Sequence, residues 1–63
     1  MPKIRRGGYV FAAWRSDPPR HVHVYRNARL IVKWDLENRM PMKGEASATV
    51  LELIAELEAE GRL

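Results

Sequence analysis

Residues 21–34 read HVHVYRNARLIVKW, and their alternation decides the fold. Successive strand residues point to opposite faces, so Val22 and Val24 share one face while His21, His23 and Tyr25 share the other. RLIVKW repeats the pattern, sorting Leu30, Val32 and Trp34 from Arg29, Ile31 and Lys33. Asn27-Ala28 stands between the two runs as a candidate turn, without the glycine that two-residue hairpins usually carry. Upstream, YVFAAWR is aromatic and β-favouring, and it stops at Ser16-Asp17-Pro18-Pro19. Proline has a fixed φ and no N–H, so Pro18-Pro19 reads as a stiff loop that ends a strand. Three short strands with tight connections predict an antiparallel meander.

Downstream, MPMKGEAS (residues 40–47) reads as a loop with Pro41 and Gly44 as breakers. ATVLELIAELEAEG then has helical spacing, with Val50, Leu53, Ile54 and Leu57 on one face. Ser47 or Thr49 can cap its start, and Thr49 with Glu52 fits a capping box; Gly61 marks the stop. The expected architecture is α+β: a small three-stranded antiparallel sheet with one C-terminal helix packed on one face (β-β-β-α). Residues 1–63 form a single domain in this reading.

A chain this short has a thin core and often gains stability by association, so a homodimer or a bound partner is expected. There is no cysteine, hence no disulfide framework and no thiolate for zinc. No apolar run resembles a signal peptide or approaches the ~20 residues that cross a bilayer, which points to a cytoplasmic protein without membrane contact. Charge is split along the chain. Residues 1–43 hold ten Lys/Arg against Asp17, Asp35 and Glu37, whereas residues 44–63 hold five glutamates against Arg62. A basic front and an acidic tail imply internal pairing, a polyanionic partner, or both.

Matching apolar sets predicts an inner face of Val10, Ala12, Trp14, Val22, Val24, Leu30, Val32 and Trp34 beneath the helix. The opposite face then collects Tyr9, Phe11, Arg15, His21, His23, Tyr25, Arg29 and Lys33, with Arg20 beside it. Rings interleaved with cations suit RNA, where bases stack and phosphates are held, and they equally suit a protein partner. A plain solvated face with cross-strand ring pairs is the third option. Glu52, Glu56 and Glu60 form an acidic ridge on the helix that repels phosphate, so nucleic acid belongs on the other side.

His21 and His23 also carry chemistry. Two rings at i and i+2 lie roughly 7 Å apart at their bases and can turn toward one metal, but zinc needs a third ligand. Asp17, Asp35 and Glu37 are the nearby candidates, all in loops, and no metal or other cofactor is expected. The alternative is a metal-independent ribonuclease in which His21 and His23 are the catalytic acid and base, with Arg15, Arg29 or Lys33 stabilising charge. An interaction domain without catalytic activity also fits the same residues.

The stretch DPPRHVHVYR (residues 17–26) resembles the small bacterial family called domain of unknown function 4160. The family signature is an acidic residue, prolines, then His, an apolar residue and His entering a strand. Asp17, Pro18, Pro19, His21, Val22 and His23 match that core, Met1, Pro2 and Ile4 match the family's start, and Gly44 matches a glycine before the helix. Pro18 stands where relatives commonly carry another histidine, which weakens a three-histidine metal site, and Arg20 stands where a proline often precedes the first histidine. The chain ends at GRL where relatives often continue with a tryptophan-containing segment. The resemblance implies a protein often encoded beside a second small protein, in pairs that look like toxin–antitoxin modules. It supplies no catalytic residues.

Overall fold

The computed structural model describes residues 3–14 and 19–63. Five strands, β1 (Lys3–Arg6), β2 (Tyr9–Trp14), β3 (His21–Arg26), β4 (Arg29–Asp35) and β5 (Met40–Gly44), precede one helix, α1 (Ala48–Ala59). The strands form one antiparallel sheet in the order β1-β2-β3-β4-β5, so every neighbour in space is a neighbour in sequence. The α+β class and the C-terminal helix are as expected, but the strand count is not: the sheet has five strands, not three.

Both extra strands lie at edges, and each has a local cause. Gly7 and Gly8 adopt φ of 61° and 82°, the left-handed pair that a two-residue type I′ hairpin requires, and KIRR folds back on β2 through that turn. MPMKG, expected to be loop, pairs with β4 along one side only. Proline is tolerated in such an edge strand because one row of its backbone groups needs no ladder partner. The register slips between Lys33 and Trp34, where β5 carries one extra residue. Charges on β1 and proline with lysine on β5 also blunt both edges against further strand pairing.

The β3–β4 hairpin forms at Asn27-Ala28 as expected, with φ of 53° and 63°. Asparagine tolerates this conformation; alanine does so at a cost of roughly 1–2 kcal/mol. Ala28→Gly is therefore expected to stabilise the fold by up to about 1 kcal/mol, after the extra chain entropy of glycine is deducted. Urea unfolding of the two proteins checks it, and a lower midpoint for the glycine variant would contradict the assigned turn.

Ser47, not Thr49, caps the helix: its Oγ accepts the Val50 N–H at 3.3 Å. Beyond the last turn, the Gly61 N–H reaches the Glu58 carbonyl and the Arg62 N–H reaches the Leu57 carbonyl, a Schellman ending. Val50, Ile54 and Leu57 bury against Phe11, Ala13, Val22, Val24 and Val32, with Leu36 and Leu63 closing the ends. Leu53 packs over Gly7, where an added Cβ would stand 2.8 Å from its Cδ1. The helix acids face this protein's own arginines. Arg6 grips Glu60 with both terminal nitrogens, at 2.5 and 2.9 Å, and lies 3.7 Å from Glu56, while Arg39 holds Glu58 at 2.8 Å. The Glu60 contact holds the Arg6 guanidinium above its ordinary value and the Glu60 carboxyl below its own.

The inner face departs from expectation on β2. Phe11 and Ala13, not Val10, Ala12 and Trp14, point toward the helix, and Phe11 is fully buried. The partner strands fix this phase: Ile4 lies opposite Phe11, and Phe11 opposite Val24. Leu30, expected inside, is exposed and stands opposite Tyr25. Among the described residues no helix is long and apolar enough to cross a membrane.

Candidate functional site

The strand register writes the outer face as rows. The central row runs Lys3, Ala12, His23, Lys33, Lys43 across all five strands. On one side lies Arg5, Val10, Tyr25, Leu30; on the other, Trp14, His21, Asp35, Met40. Cross-strand neighbours stand about 5 Å apart, so the side chains of each row are neighbours on one face.

Cations sort by face. Arg6, Arg39 and Arg62 pair with helix glutamates. Among the described residues, Lys3, Arg5, Lys33 and Lys43 have no carboxylate partner. Lys33 and Lys43 are direct cross-strand partners, and like charges so placed repel and destabilise the pair. The small side chain of Ala12 leaves the row low between Lys3 and His23.

Beside this row sits a ring cluster. Trp14 stacks on His21 with centroids 6.0 Å apart and planes within 7°, and it tilts against His23 at 5.4 Å. His21 and His23 are 5.3 Å apart, and Tyr25 meets His23 edge-on at 6.3 Å. The Pro19 carbonyl accepts from His21 Nδ1 at 2.8 Å. That bond places a proton on Nδ1, so neutral His21 carries its lone pair on Nε2. His23 Nδ1 lies 3.4 Å from the Tyr25 hydroxyl, while its Nε2, like Trp14 Nε1, is buried without a partner among the described residues.

Burial lowers the His23 pKa below its ordinary value, and the neighbouring His21 and Lys33 charges push the same way. His23 is thus neutral near pH 7. In the unfolded chain it gains a proton below about pH 6.5, while the folded protein resists that proton until lower pH. Stability therefore falls as pH drops from about 6.5 through the lowered His23 value. The Asp35 and Glu60 carboxyls, both held low, lose their contributions only in stronger acid. His23→Gln is expected to flatten the upper part of this profile in thermal unfolding scans from pH 5 to 8. An unchanged slope would place the titration elsewhere.

Asp35 closes the row of Trp14 and His21. Its side chain accepts from the Asn38 N–H at 2.9 Å, the Asn38 amide at 2.7 Å and the Glu37 N–H at 2.8 Å. These bonds, led by the two from Asn38, hold the carboxyl below its ordinary value, and His21 adds to the effect. The turn they shape clamps the start of β3, because Leu36 N–H donates to the Arg20 carbonyl and Arg20 N–H donates to Glu37 Oε2. Asp35 thus shapes the turn that holds the start of β3 at Arg20, next to His21.

Of the residues singled out from sequence, His21, His23, Tyr25 and Lys33 come together on this face. Phe11 is in the core and Tyr9 lies on the core side, with the Arg26 guanidinium 5.4 Å over its ring. Arg29 stands opposite Arg26 beside the turn, outside the three rows, and Arg20 is exposed at the start of β3. Arg15, Asp17 and Pro18 lie outside the described residues. Lys3, Arg5, Trp14 and Lys43 were missed, since β1 and β5 were not read as strands and Trp14 was assigned inward. Among the described residues no three of His, Asp and Glu converge on a metal position. The two histidines sit side by side, with ring centroids 5.3 Å apart and His23 Nε2 buried.

Fold and site together define a small α+β protein with an open, cationic sheet face. No family model, curated protein or solved structure matches the chain. The resemblance carried by DPPRHVHVYR, with Met1, Pro2, Ile4 and Gly44, rests on the sequence alone.

Proposed function

We propose that this is a small RNA-binding protein of the cytoplasm, using the outer sheet face as its binding surface. The observation that supports this is the central row: Lys3, Lys33 and Lys43, unpaired, set in one line with His23. A protein that keeps Lys33 and Lys43 directly opposed accepts a repulsion that a phosphate chain would remove. The helix glutamates are on the opposite side of the sheet, where they repel no phosphate at the row. A sheet face with Tyr25 at the margin of its ring cluster suits single strands, whose bases splay out and stack. In keeping with the family it resembles, the protein would act as one half of a toxin–antitoxin-like pair.

The test is fluorescence anisotropy of a labelled 12-nucleotide RNA from 50 to 200 mM salt. Four phosphate contacts through Lys3, Arg5, Lys33 and Lys43 give a log–log salt slope of about −3 for a single strand. Absence of binding at 50 mM salt overturns the reading. Salt-insensitive capture of the adjacently encoded protein, with no RNA binding, would make the face a protein interface.

A further inference from the structure

The outer face is not uniform. The central row is a ridge of charge, and the ring cluster around Trp14 is packed against itself. Next to Tyr25 the surface falls away instead. A depression of ≈630 Å³ is lined by Lys3, Arg5, Val10, Tyr25 and Ala28. A second, of ≈460 Å³, shares Arg5, Val10 and Ala28 and reaches the Gly7-Gly8 turn. Both hairpin turns border the second depression, and the first, a trough between β1 and Tyr25, is within the size range of small-molecule sites.

We infer that this trough is a nucleoside-phosphate subsite, with Tyr25 and Val10 beneath the base and Arg5 and Lys3 on the phosphate. The assignment rests on the RNA-binding reading of the face and names where one nucleotide of the strand is gripped. Register supplies the geometry. Arg5, Val10 and Tyr25 stand opposite one another on three adjacent strands, which places Arg5 and Tyr25 roughly 10 Å apart at Cα, on either side of an apolar floor. Lys3 lies two residues from Arg5 on the same face of β1, so both cations reach one anion from one edge. Among the described rings, Tyr25 touches His23 alone, whereas Trp14 and the two histidines pack against one another. Tyr25 is the ring best placed to take a base.

The chemistry selects the ligand class. Inorganic phosphate would meet Arg5 and Lys3 but leave the floor of Val10, Ala28 and Tyr25 uncovered. A nucleoside would cover the floor and leave the two cations unpaired. A nucleoside monophosphate uses both halves.

The experiment titrates the full chain with AMP, adenosine, inorganic phosphate and the 12-nucleotide RNA, followed by amide NMR shifts and repeated with Tyr25→Leu and Arg5→Gln. AMP is expected to bind more tightly than adenosine or phosphate and to shift amides around Arg5, Val10 and Tyr25. Tyr25→Leu is expected to weaken AMP at least about fivefold, and Arg5→Gln to weaken both AMP and the RNA, the RNA by about fivefold near 0.1 M salt. RNA binding that survives without any AMP preference over phosphate, or that is indifferent to both variants, overturns the subsite and leaves the face reading standing. Tyr25-dependent AMP binding without RNA binding does the reverse. Loss of both ligands in the wild-type chain removes both.

Discussion

Replacing both lysines of the central row, Lys33→Gln with Lys43→Gln, is expected to weaken RNA binding by about 25-fold at 0.1 M salt. Each phosphate contact on a single strand contributes about 0.7 to the log–log salt slope, so removing two lowers the slope by about 1.4. A structural role for these lysines predicts something different. They face each other across β4 and β5 without a carboxylate between them, so neutralising them relieves repulsion. The variant should therefore unfold at the same temperature as the parent or slightly higher, while binding falls. A fall in both binding and melting temperature would mean that the lysine stems support the edge strand through packing, as long cationic side chains can. Unchanged binding would exclude the row as the phosphate track.

The middle of this fold was legible in the sequence because its alternation is one-sided. In HVHVYR only the valines are candidates for a core, so β3 has a single sensible phase. β2 has two. Tyr9, Phe11 and Ala13 form one apolar set and Val10, Ala12 and Trp14 another, and hydrophobicity alone does not choose between them. A one-residue change of phase moves every side chain to the other face. The missing constraint lay just upstream. Reading Gly7-Gly8 as a two-residue hairpin makes KIRR a strand whose one apolar residue is Ile4, and the turn places Ile4 opposite Phe11. That single recognition yields β1, the phase of β2, and Lys3 with Arg5 on the histidine face. β5 was harder, since Pro41 and Gly44 argue against a strand and only its edge position excuses them. The helix was legible from spacing, but its cap was not. Ser47 and Thr49 are both capping residue types, and the capping-box pattern favoured the wrong one.

The phase of β2 is also where stability is most sharply divided. Phe11→Ala is expected to cost about 3–5 kcal/mol, the usual range for deleting a buried aromatic side chain. A chain of this length has a total stability of only some 3–9 kcal/mol by the usual per-residue range, so the variant would be largely or wholly unfolded. Trp14→Ala removes a larger ring and should still cost less. Trp14 is only half-buried, and among the described residues its Nε1 has no hydrogen-bond partner and its ring contacts are with His21 and His23. Its loss should leave a folded protein with a loosened ring cluster, visible as shifted His21 and His23 imidazole signals in NMR. Urea unfolding of both variants decides between the two phases. The inverted order, with Trp14→Ala the more damaging, would put Val10, Ala12 and Trp14 back under the helix and turn Tyr9 and Phe11 toward the histidines. In that case the rows of the outer face would dissolve, because Ala12 is what lets Lys3 and His23 fall into one line. The core substitution is thus as direct a test of the binding surface as any change made on it.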